Sequence, residues 1–196
     1  MANRNTQGFG LIAQGTVGST MASQGQGKYL IDAGMGVDLF QGTAVRSAAG
    51  YIVTAQAAIT NTCIGVLNGL FYYDASTKKP TFANFYNQPI TPANSEDITA
   101  FVIDNPNQLF VASIDAAAAQ AEYGKTYGLT VTAAGSDLSG QSSSTLTYAT
   151  RHATNNQWRL VRTAEDPENN DIAAANCSVV VAHNLNQYFT GAVTWQ

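Results

Sequence analysis

The chain has 196 residues, a formal net charge of −4 and only 11% Asp, Glu, Lys and Arg, against about a quarter in an ordinary globular domain. Asn, Gln, Ser and Thr make up about a third of it instead; such neutral groups are far cheaper to bury than charges once hydrogen-bonded. This balance suits burial in protein–protein contacts, serves acid–base chemistry poorly, and argues against nucleic acid, which needs clustered cations.

The length suits one domain, and 45% hydrophobic residues argue against global disorder. No stretch approaches the roughly 18 apolar residues of a membrane span. The N-terminus has no apolar run of the secretory kind. The expectation is synthesis in a cytosol, with no membrane partner. Cys63 and Cys177 lack ligands at zinc spacing, so they read as buried small hydrophobes. A disulfide between them stays open at this point.

Residues 1–27 are rich in Gly, Gln, Ser, Thr and Asn, with isolated Phe9, Leu11, Ile12, Val17 and Met21. They read as an extended N-terminal arm whose apolar anchors order against a neighbour. Deleting residues 1–20 should then leave the rest of the fold intact. Residues 28–196 read as one β-barrel-like domain. Short runs bounded by Gly mark strands at Lys28–Asp32, Val37–Phe40, Thr43–Ser47 and Tyr51–Ala55. Cys63–Tyr73 reads as a longer, buried strand.

Residues 74–97 read as a long interface loop. Pro89 and Pro92 exclude a central strand or a helix, and Phe82, Phe85 and Tyr86 stand among Asn, Gln and Pro. Ile98–Asp104 and Gln108–Asp115 form a hairpin around Asn105-Pro106-Asn107. The alanines of Ala116–Glu122 predict one short helix, ended by Gly124. Tyr127–Thr132, Thr145–Thr150, Gln157–Thr163 and Cys177–Asn184 complete the strands. The fold class is mainly β: a compact β-barrel or sandwich of about ten short strands with one short helix.

Chemical motifs are weak. Gly8-Phe9-Gly10-Leu11-Ile12-Ala13 matches a dinucleotide fingerprint in letters but has no preceding strand, and Gly15 and Gly18 spoil the receiving helix. Asp166–Asp171 is rich in oxygen ligands but fails the EF-hand pattern and reads as a solvated turn. Glu96-Asp97 and Glu165-Asp166 read as turn charges. Cys177 and His183 share a strand face six residues apart, a span of about 20 Å at ~3.3 Å per residue. A pairing of His183 with Cys63 stays open, beside a core or interface histidine. No cofactor or metal is expected, and no enzyme activity.

Two segments carry a resemblance. Gln41-Gly42-Thr43-Ala44-Val45, Gly50-Tyr51-Ile52-Val53-Thr54-Ala55 and Ile64-Gly65-Val66 follow in order. This resembles the small β-barrel of tailed-bacteriophage capsid cement (decoration) proteins. Val102–Phe110, Ala121–Lys125 and Leu160-Val161-Arg162 are similar to virion structural proteins of marine and cyanobacterial phages. The long N-terminal arm and the 74–97 loop depart from simpler cement proteins. The resemblance implies a protein of the capsid outer surface, assembled in the host cytoplasm. Its partners would be the major capsid protein and further copies of itself, as a dimer or trimer. The contact residues expected are Phe9, Leu11 and Ile12 in the arm and Phe82, Phe85 and Tyr86 in the loop, since aromatic anchors dominate interfaces. The alternative is a tail, baseplate or head-fibre component that binds a host glycan.

Overall fold

The computed structural model describes residues 2–18, 25–55, 62–88, 90–130 and 135–188. Met21, Pro89 and the end of the predicted Tyr127–Thr132 strand lie outside them. Twelve strands are described: β1 (Ile12–Thr16), β2 (Gly27–Ile31), β3 (Ala44–Ala48), β4 (Tyr51–Thr54), β5 (Gly65–Tyr73), β6 (Pro80–Ala83), β7 (Ile98–Ile103), β8 (Gln108–Ser113), β9 (Thr126–Leu129), β10 (Leu146–His152), β11 (Trp158–Thr163) and β12 (Ser178–His183). The protein is mainly β, with very little helix.

The strands form two antiparallel sheets of sandwich type. Sheet I runs β1-β8-β12-β11-β9-β10, and sheet II runs β2-β7-β5-β3-β4 with β6 on β5. Sheet II curls, so its outer strands β2 and β4 approach each other. Inside the curl lie Ile31, Val45, Ile52, Leu67, Leu70, Ile98, Ala100 and Val102, capped by Leu39 and Tyr86. Alternation then sends Ala44, Val66 and Ile103 to the outside of the sheet. There they pack into a second core with Phe110, Tyr127, Trp158, Leu160, Val179 and Val181 of sheet I. Each large side chain buried in this way contributes about 1.5–3 kcal/mol.

The residue 1–27 reading is corrected over the described part. Ile12–Thr16 is not a free arm but the edge strand of sheet I, in register with β8 from Ile12↔Val111 to Thr16↔Gln108. Leu11 is 3% exposed and belongs to the shared core. The Asn3 amide donates to the carbonyls of Asp171, Ala174 and Ala175 at 2.9, 3.2 and 2.9 Å. Deleting this segment therefore removes part of the fold.

The predicted helix is also corrected. Only Gln120–Glu122 turns, as a single 3-10 turn. The alanines offer no broad apolar stripe to dock, and the Ala118 N–H is spent on the Ile172 carbonyl at 2.8 Å. Residues 74–97 do hold a strand, β6, on the sheet margin. Its first residue is Pro80, a position where a missing N–H is tolerated.

Neutral amides join the parts. Gln187 accepts from the Ser47 N–H at 2.8 Å and donates to the Ser47 carbonyl at 3.0 Å, binding the end of sheet I to β3. Asn156 donates to the carbonyls of Thr126 and Thr150 at 3.0 and 2.6 Å.

Candidate docking surface

Sheet I covers only one end of the outside of sheet II. Beyond Val66 and Ile103, alternation along β5 and β7 turns Phe71, Tyr73, Thr99 and Phe101 to the same side. The register adds neighbours: Phe71 stands opposite Thr99 and Phe82, and Phe101 stands opposite Lys28 and Gly69. The rings of Phe82 and Phe101 lie 6.5 Å apart, centroid to centroid, and 17° from parallel. Phe71 lies 4.7 Å from Phe82 and 5.3 Å from Tyr73, centroid to centroid. Phe82 is 74% exposed and Tyr73 47%. Leu30, opposite Thr99, is also exposed. Four aromatic rings thus form a contiguous face with nothing over it among the described residues. A patch of this kind marks a contact site more often than a scattered surface residue does.

The six contact residues expected from sequence separate. Phe82 is the centre of the aromatic face. Phe9 is half-buried and Ile12 46% exposed; they line one groove beside β1. Phe85 is half-buried and stacks on Phe40 at 5.5 Å. Leu11 and Tyr86 are core residues, not contact residues. Tyr86 is fully buried, and its hydroxyl donates to the Met35 carbonyl at 2.9 Å. Phe71, Tyr73 and Phe101 were missed. Their signal was present: in Ile98–Ile103 and Leu70–Tyr73 both faces are apolar, so a second face of sheet II needed a cover.

The groups with chemical potential are held neutral or tied down. The structure brings His183 to Cys63, with Nδ1 3.5 Å from Sγ. The imidazole packs on Trp158 at 4.4 Å and meets Phe110 edge-on at 5.7 Å. Burial pushes the Cys63 thiol up to about 12 and His183 down to about 4, so both are uncharged at neutral pH. A nucleophilic pair needs thiolate and access; Cys63 is fully buried. Cys177 is a second buried free thiol, pushed up to about 11 by burial.

Glu122 is nearly buried and gathers the Lys125 ammonium at 3.1 Å and the Tyr127 hydroxyl at 3.2 Å. This tethers the 3-10 turn to β9. In the acidic loop, Asp166 accepts from the Asn169 amide at 2.8 Å and the Glu168 N–H at 3.1 Å, which hold its carboxyl below the usual range. Among the described residues no cluster of three His, Cys, Asp or Glu side chains is placed to hold a metal, and no helix is long and apolar enough to cross a membrane.

No protein-family model matches the chain, and neither a curated protein nor a solved structure is significantly similar to it.

Proposed function

We propose that this chain is a structural virion protein, a capsid cement (decoration) protein. In this reading it binds the outer surface of an icosahedral phage head and bridges neighbouring major capsid subunits, which stabilises the shell. The observation that carries the reading is the uncovered face of Phe71, Tyr73, Phe82 and Phe101 on a chain with so few charges. Aromatic side chains buried at the centre of a contact supply most of its energy, and charged residues are depleted there. Each contact can be modest, because a molecule that touches several subunits at once gains effective concentration. The order of the glycine-bounded motifs supports the same class.

The rings argue against the glycan alternative on this face. They pack against one another, with Phe71 tilted 48° to Phe82 and 77° to Tyr73, so that of the four rings only Phe82 and Phe101 lie near parallel, at 17°. The flanking amides of Asn68 and Asn84 are engaged, with Gln41 and with the Ser139 carbonyl. A desolvated protein surface covers such a cluster better than a hydrated sugar.

The test is co-sedimentation with empty shells of the particle that encodes the chain. The wild type should saturate at hundreds of copies per shell, as expected for a component that follows shell symmetry. The Tyr73→Ser/Phe101→Ser variant should bind at least tenfold more weakly. Failure of the wild type to sediment with shells, or tens of copies or fewer on a tail, overturns the reading.

A further inference from the structure

Between the N-terminal segment and the 135–143 loop lies a pocket of about 400 Å³, within the range of about 300–1,000 Å³ typical of small-molecule sites. Hydrogen bonds fix both of its walls. In the segment, the Arg4 N–H donates to the Glu168 carbonyl at 3.2 Å, the Asn5 N–H to Asn169 Oδ1 at 2.7 Å and the Gly10 N–H to the Ser144 carbonyl at 3.1 Å. Between these anchors Gly8 lies so close to the loop that a Cβ there would stand 2.3 Å from the Ser143 carbonyl oxygen. In the loop, the Ser136 N–H donates to the Gln141 carbonyl at 2.9 Å, and the Asn84 amide donates to the Ser139 carbonyl at 2.8 Å. Walls held in this way have little freedom left to lose when a ligand enters.

The lining is polar yet almost without charge. Among the described residues it holds no carboxylate and one cation, Arg4, whose guanidinium is already paired with Glu168. The rest is mostly hydroxyl and amide, with Phe9 as its one ring. Elsewhere the chain spends such neutral groups on backbone clamps, as at Asn156 and Gln187. Here they are unspent: the side chains of Thr6, Gln7, Gln141 and Ser143 meet no hydrogen-bonding partner among the described residues. The Ser136 and Ser139 hydroxyls accept from the N–H groups of Ser139 and Gln141 at 3.4 and 3.3 Å. Each keeps its own proton to donate.

We propose that this pocket binds a neutral saccharide unit. A sugar presents hydroxyls that both donate and accept, and the Gln7 and Gln141 amides and the Thr6 and Ser143 hydroxyls offer both roles in return. The C–H face of a sugar ring suits the apolar surface of Phe9. A phosphate would find no unpaired cation in the lining, and an organic cation would find no carboxylate. An apolar ligand would strand the polar lining without partners, at a cost for each group left unbonded. The pocket shares no residue with the face of Phe71, Tyr73, Phe82 and Phe101, so this inference stands or falls independently of the coat reading.

The experiment uses the full chain in solution, without shells. The protein is applied to a printed array of neutral oligosaccharides, with sialylated and phosphorylated ones beside them. The neutral glycan retained best is then titrated into isotopically labelled protein, and the backbone amide shifts are followed by NMR. Retention of a neutral glycan is expected, with saturable shifts at Gln7, Gly8, Ser139 and Ser143. Its affinity should change less than about twofold between low salt and ~1 M salt, where the Debye length falls to about 3 Å. Gln7→Ala/Gln141→Ala alters two exposed side chains. It should leave the melting temperature and the rest of the spectrum unchanged while weakening binding about tenfold or more, the loss expected for two hydrogen bonds. Four results would each overturn the inference, whatever the chain does on shells: no neutral glycan retained, charged glycans retained in preference, shifts confined to other residues, or undiminished binding by the double variant.

Discussion

The inside and the outside of sheet II are made by the same strands, yet they end in different states. On β7, Ile98, Ala100 and Val102 point inward and are wholly buried; Thr99 and Phe101 point outward and are half-exposed. On β5, Leu67 and Leu70 enter the closed core while Phe71 and Tyr73 enter the aromatic face. Both sides are apolar. What separates them is the second layer. The inside is closed by the curl and by Leu39 and Tyr86, whereas sheet I reaches only as far as Val66, Ala44 and Ile103 on the outside. Hydrophobicity alone therefore does not distinguish a core from a contact; the extent of the covering layer does.

The contrast can be broken or sharpened by mutation. Tyr86→Ala opens the closed side and should cost about 3–5 kcal/mol in denaturant unfolding, the range for a large aromatic truncated in a core. The seam between the sheets, where His183 meets Cys63 and Trp158, should respond to acid. The folded His183 is held at about 4, below its ordinary value. The unfolded histidine therefore takes up a proton at a pH where the folded one refuses it. Its contribution is full above about pH 6.5 and is lost as pH falls toward 4, by up to about 3 kcal/mol. His183→Phe should flatten that part of the stability–pH curve; an unchanged curve would place the acid response elsewhere. Gln187→Ala cuts the amide link from the end of sheet I to Ser47 and should cost about 1–2 kcal/mol. Phe82→Ser, on the open side, should change stability by no more than about 0.5 kcal/mol. A loss as large as that of Tyr86→Ala would mean that the outer rings belong to the core.

Much of the strand inventory was legible. The runs at 28–32, 43–47, 51–55, 63–73, 98–104, 108–115, 145–150, 157–163 and 177–184 all lie on strands, because each alternates or is apolar between turn residues. But 98–104 and 108–115 are not a hairpin, since β7 pairs with β2 and β5 in sheet II and β8 with β1 and β12 in sheet I, and 37–40 forms only the bridge Leu39↔Tyr86. β1 was not legible. Ile-Ala-Gln-Gly-Thr has one large apolar residue, and its strand character comes from pairing with β8, a contact about a hundred residues away in sequence. β6 was hidden by Pro80 and its flanking lysines. Tyr86 looked like a loop aromatic because its burial depends on Leu39 and Met35, to which its backbone and hydroxyl bond. For the docking surface, Phe82 was found from its exposed-looking neighbourhood. Phe71 fell within a run read as a buried strand and Phe101 within one read only as a strand, since a two-sided apolar strand gives no hint of how far the other sheet reaches.

The amide clamps of Asn3, Asn156 and Gln187 have a bearing on brine and fresh water. They hold distant backbone together without a single formal charge. Dissolved ions weaken charge–charge attraction but leave such dipolar grips largely untouched. The architecture should thus ride through large swings in salinity with its melting temperature nearly fixed.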